Sequence, residues 1–216
     1  MKKNAGNLLM IAGAVLVSLA LLLFLYNMWD AKRAENRAAQ IMEEIREQEW
    51  KTQPERKNEV EDATETDVET EEAGLPATMM VDGNTYIGYL SIPAIGLELP
   101  VMSEWSYEGL KIAPGRYSGS LYTHDLVIAG HNYARHFSPI KWLEVGTEVD
   151  LTDAGQRIWH YQVSSVEQLN PNQVEAMTEP SDTDNWDLTL FTCTTGGQMR
   201  YAVRCRAVGI ERRGMS

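Results

Sequence analysis

Residues 187–204 read DLTLFTCTTGGQMRYAVR, and the way this stretch turns back on itself decides the fold. An apolar, β-branched run ends in Cys193. The polar turn TTGGQM follows, and a second run opens at Arg200. Two such runs joined by a Gly-containing turn read as a hairpin. Paired across it, Cys193 and Arg200 lie close to opposite each other. A guanidinium there is a fixed positive charge near a thiol, and it favours a thiolate or a developing oxyanion over the neutral form. Cys205 falls about five residues further on, beyond a disulfide's reach at about 3.3 Å per residue. It reads as a small buried hydrophobe, and Cys193 stays free.

The same texture extends outward from about Ala77. Short β-branched or aromatic runs, bounded by Gly, Pro, Asn and Asp, recur as TYIGYLSIPAIG (85–96), LELPVM (97–102), DLVIAGHN (125–132), TEVDLTDAG (147–155), QRIWHYQVSSVEQL (156–169), DLTLFTC (187–193) and RYAVRCRAVGIER (200–212). These predict a mostly β domain over 77–216 with at least seven strands. Helices are few and short, with SYEGLKIAPG (106–115) and NPNQVEAM (170–177) as candidates. Many closely spaced strands suggest one β-barrel or sandwich.

Upstream the chain changes character twice. NAGNLLMIAGAVLVSLALLLFLYNMW (4–29) contains no charge, and about 20 apolar residues suffice to cross a bilayer core. Residues 7–29 therefore read as a transmembrane anchor. The run is longer than a signal-peptide core and lacks a good cleavage pattern after it. Lys2 and Lys3 place residues 1–6 in the cytoplasm and the remainder outside. DAKRAENRAAQIMEEIREQEWK (30–51) lacks Gly and Pro and predicts a helical stalk. Its apolar content is thin, so the expectation is a helix solvated on all sides. Residues 52–76 include the acidic run Glu59–Glu72 and read as a disordered linker.

The chain has 216 residues, 19 basic and 31 acidic, for a net charge of −12, which argues against a nucleic-acid partner. Two cysteines and four histidines offer no zinc pattern, so no metal is expected. A nucleophilic cysteine needs an imidazole partner. His131 ends an apolar strand after a glycine and is the best candidate. His136 lies in a polar loop and reads as surface, His124 as a turn residue, and His160 as half-buried in a strand.

These residues resemble the sortases. TLFTC (189–193) matches their TLxTC signature, AGH (129–131) resembles their strand-end histidine, and Arg200 fits their arginine. The stretch GYLSIPAIGLELPV (88–101) is similar to the family's opening strands, and the resemblance covers about Tyr86 to Glu211. It implies an eight-stranded β-barrel and a membrane-anchored cysteine transpeptidase of the Gram-positive cell surface. Cys193 would attack an LPXTG-type sorting signal, His131 would act as acid and then base, and Arg200 would hold the substrate or the oxyanion. The amine acceptor would be a peptidoglycan precursor or a pilin lysine. The resemblance suggests that the backbone around Thr192 adds to the oxyanion site. Asn132, next to the histidine, is kept as a substrate-side candidate against a plain turn residue. No cofactor is expected, and no calcium site is carried over from the family. Arg204 is the fallback for the arginine and Arg206 a remote one. The short Val166–Trp186 segment disfavours class B, and the missing lid motif and second span disfavour class C, leaving a class A-like or class D-like enzyme. The alternatives are a pilin-polymerising or pilin-anchoring sortase, or a tethered binding module with a spent site.

Overall fold

The structure, a computed structural model, describes residues 2–59, 77–180 and 185–212. The acidic linker expected at 52–76 lies outside the described residues from 60 onward.

Helix α1 runs unbroken from Lys2 to Glu59. Nine strands follow: β1 (Met79–Val81), β2 (Asn84–Ile92), β3 (Leu97–Met102), β4 (Gly115–Ser118), β5 (Leu126–Gly130), β6 (Glu148–Asp153), β7 (Arg157–Leu169), β8 (Leu188–Cys193) and β9 (Arg200–Arg212). A short helix α2 (Val174–Thr178) sits between β7 and β8. The strands form one sheet in the order β1-β2-β3-β4-β5-β8-β9-β7-β6, and β6 also pairs with β2. That last pairing closes β2 to β9 into a ring of eight strands, with β1 added outside it. The mostly β, eight-stranded closed sheet expected from the resemblance is what forms. The sequence reading missed β1 and β4, which are too short to show an alternating pattern.

Side chains alternate between the two faces of each strand. On β5 and β8, Leu126, Ile128, Leu188 and Leu190 point into the ring and join its main core, with Val203 and Cys205 of β9. Val127, Ala129, Phe191 and Ala202 take the opposite parity. They form a second apolar cluster on the outer face with Leu110, Leu169, Met177 and Trp186. The outer face is therefore covered by the segment before β4 and by the β7–β8 connection.

The helix expected to be solvated on all sides is not. Ala34, Ala38, Ile41, Met42 and Ile45 are buried, a stripe at helical spacing. Ile41, Met42 and Ile45 pack with Val81, Tyr86, Tyr89 and Met102 of β1, β2 and β3. Arg37 pairs with Asp82 at 3.3 Å and Arg46 with Glu98 at 2.5 Å. Two of the five stripe residues are alanines, which read as exposed helix formers although their small size allows close approach to the sheet. The N-terminal part of α1 is the one described helix long and apolar enough to span a membrane, and none of its apolar window is buried.

Candidate active site

β5 and β8 are neighbouring parallel strands, with Gly130 opposite Thr192. His131 and Cys193 are the next residues on each, and adjacent strands lie about 4.8 Å apart. β8 and β9 are antiparallel, and Cys193 is directly opposite Arg200. Strand parity puts Cys193 and Arg200 on the outer face with Phe191 and Ala202, and His131 continues the same parity beyond Ala129. The ends of β5, β8 and β9 thus bring these three residues, read from the sequence as a unit, to one edge of the sheet. The hairpin between β8 and β9 is tight. Gly196 and Gly197 have φ of 87° and 74°, a region glycine occupies without cost, and Thr194 N–H donates to the Met199 carbonyl at 2.9 Å.

Arg200 donates to the Gly197 and Met199 carbonyls at 3.0 and 3.1 Å, which holds its guanidinium at the hairpin. The two fallback arginines go elsewhere. Arg204 is 1 % exposed and donates to Glu167, to Thr189 Oγ1 and to the carbonyls of Ala176 and Met177. It ties β9 to β7, β8 and α2. Arg206 is exposed and donates to the Asn185 carbonyl. Both cysteines are free, Cys193 half-buried and Cys205 fully buried, and burial raises the Cys205 thiol pKa far above its usual range. Thr192 uses its hydroxyl on the Gly130 carbonyl at 2.8 Å, joining the two strands that carry Cys193 and His131. Asn132 is half-buried, and its Oδ1 has no partner among the described residues.

The loop after His131 folds under it. Phe137 N–H donates to the His131 carbonyl at 3.2 Å, and His136 N–H to that of Tyr133 at 3.0 Å. A β-carbon on Gly130 would lie 2.4 Å from Phe137 Cγ, so only glycine fits before His131. His136 is not a surface residue as expected: it is fully buried, because α1 lies over the loop at Ala34. Desolvation lowers its pKa to about 4. Burial also lowers the pKa of His131; Asp30 opposes that shift and Lys111 adds to it. Asp30, Tyr133 and His136 had no signal in the sequence, since their proximity depends on how α1 docks. His160 is half-buried and bonded to Asp150 at 2.8 Å, as a strand histidine can be. Among the described residues, no group of three or more His, Cys, Asp or Glu could hold a metal.

The family model described as the sortase domain matches residues 90–208, more than half of the chain. The chain belongs to the sortase family. It is therefore placed among the cysteine transpeptidases. Sortase A of Bacillus anthracis is 24% identical over 190 residues, covering 85% of this chain and 86% of that one. Among solved structures, sortase A from Corynebacterium diphtheriae has a TM-score of 0.52 at 24% identity, covering 62% of this chain and 64% of that chain. The match thus spans just under two thirds of that structure. A sortase from Actinomyces oris has a TM-score of 0.54 at 24% identity, covering 67% of this chain and 92% of that one. At these identities the solved sortases share the fold.

Proposed function

We propose that this sortase cleaves an LPXTG-type sorting signal through a thioester on Cys193 and transfers the acyl group to a cell-wall amine. The observation that supports it most is the register: β5 brings His131 to one side of Cys193, and β9 brings Arg200 to the other. The Cys193 thiolate attacks the Thr carbonyl of the signal. Arg200, with its planar fork of donors, holds the tetrahedral oxyanion or the peptide beside it. The Thr–Gly bond breaks, and His131 gives its proton to the departing Gly amine. An incoming amine then attacks the thioester carbonyl and loses its proton to His131, and Cys193 leaves as thiolate. Thr192 holds the two strands in register through its bond to the Gly130 carbonyl.

The anchor is uncleaved, with Lys2 and Lys3 inside and the β domain outside. That puts the site beside the membrane surface, where sorting substrates and lipid-linked precursors meet it. The short β7–β8 connection supports a class A-like or class D-like enzyme. The reaction as written needs no metal.

The test uses the full chain in detergent or nanodiscs, a quenched LPXTG-type peptide, and mass spectrometry with and without amines. Acyl addition to Cys193 and amine-dependent exchange, both lost in Cys193→Ala and His131→Ala, are the expected results. Replacing the peptidoglycan-type amine with a pilin-type lysine peptide identifies the acceptor. A folded enzyme with a reactive thiol but no adduct across a peptide library would leave a tethered module with a spent site.

A further inference from the structure

The first turns of α1 after the apolar span lie on the loop that carries His131. Tyr133 Oη donates to Asp30 Oδ2 at 2.5 Å. The Tyr133 ring in turn lies 4.7 Å from the His131 ring at an interplanar angle of 31°. Arg135 reaches Glu35 at 3.6 Å, and the buried His136 is covered at Ala34. Further along, Ala38, Ile41, Met42 and Ile45 fix the helix to the β domain. Asp30 therefore occupies a set position relative to the histidine, although 101 residues of chain separate them.

We propose that Asp30 is a positioning residue for His131: acting through the Asp30–Tyr133 hydrogen bond and the Tyr133 ring packed at a tilt against the imidazole, the anchor helix limits the rotation of the ring and sets a negative charge behind it. The inference rests on the acid–base role given to His131 above. A phenol held by a carboxylate cannot move away from the ring it packs against, so the imidazole loses freedom on that side. The carboxylate favours the imidazolium form that a general acid needs. The charged and titratable groups around His131 are Asp30 and Glu35 on α1, Lys111 before β4, Tyr133, Arg135 and His136 on its own loop, and Cys193 and Arg200 on the hairpin. Asp30 is the acid among them that reaches the ring through an ordered contact. The anchor helix is then part of the active site as well as a tether, and a β domain cut free of it is a weaker enzyme.

The test follows His131 itself. Full-length protein in nanodiscs, labelled with ¹³C-histidine, gives the His131 titration midpoint by NMR, with His131→Gln assigning the signal. Asp30→Asn keeps an acceptor for Tyr133 and removes only the charge; the midpoint should fall measurably. The alkaline limb of kcat/KM should move to lower pH with it. Asp30→Ala removes the acceptor as well and should lower kcat several-fold at constant KM, while Asp30→Glu restores it. An unchanged midpoint in Asp30→Asn, or a wild-type kcat in Asp30→Ala, overturns the proposal. The midpoint is read without turnover, so it decides the role of Asp30 even if the peptide is not cleaved. Full activity in His131→Ala would instead sink the acid–base reading.

Discussion

The ring of Phe137 occupies the space that a β-carbon on Gly130 would need, with Phe137 Cγ only 2.4 Å from it. This one contact sets how the histidine loop folds beneath the end of β5. Gly130→Ala must push the ring away or bend the strand, and overpacking of this kind costs about 1–3 kcal/mol. The expected result is a lower unfolding midpoint together with a larger fall in kcat/KM than in stability, because His131 is the next residue. Thermal unfolding and peptide turnover on the same preparation check it. A fully active Gly130→Ala enzyme would mean that the loop adapts without moving the imidazole.

Arg200 and Arg204 lie on one strand but should fail in different ways. Arg200→Lys keeps the charge and loses the planar fork, so turnover should fall by about 10² or more with the fold intact. Arg204 is buried among Glu167, Thr189 and two carbonyls, and Arg204→Met should cost about 3 kcal/mol by leaving those acceptors unpaired. Denaturant unfolding and kcat/KM separate the two. Wild-type turnover in Arg200→Lys would send the catalytic role elsewhere.

The contrast between these arginines was legible only in part. The hairpin follows from two β-branched or aromatic runs joined by a Gly-containing turn, so the Cys193–Arg200 pair could be read directly. The closed sheet was less legible, because ring closure depends on β2 meeting β6 across 60 residues of sequence, which no local pattern encodes. The docking of α1 was missed for a definite reason. A stripe of Ala34, Ala38, Ile41, Met42 and Ile45 buries well against a sheet, yet alanine carries no hydrophobic signal in a helix rich in Glu and Arg. Everything that depends on that docking was lost with it: the burial of His136, the Asp30–Tyr133 bond, and the coupling of the anchor to the histidine loop.

Helix docking can be separated from folding of the sheet. Ile45 is fully buried against β1, β2 and β3, and Ile45→Ala should weaken the docking by about 2–5 kcal/mol. Hydrogen exchange should rise over residues 34–48 while the ring strands keep their protection. Equal loss of protection in α1 and in β5 or β8 would show that the sheet does not hold without the helix.

Acid should act on the same contact through His136. Its pKa is near 4 in the folded protein and near 6.5 when the chain is unfolded, with burial as the main cause. Above pH 6.5 the ring is neutral in both states and contributes no pH dependence. Between pH 6.5 and 4 the unfolded chain binds the proton and the folded one does not, so stability falls as pH falls. The loss levels off below pH 4, when both states are protonated, and totals on the order of 3 kcal/mol. The lowered pKa of His131 acts in the same direction. Unfolding midpoints measured across this window should show the slope in the wild type and a shallower one in His136→Gln, whose amide does not titrate. A slope of equal size in His136→Gln would assign the acid sensitivity to other groups and place His136 in contact with water.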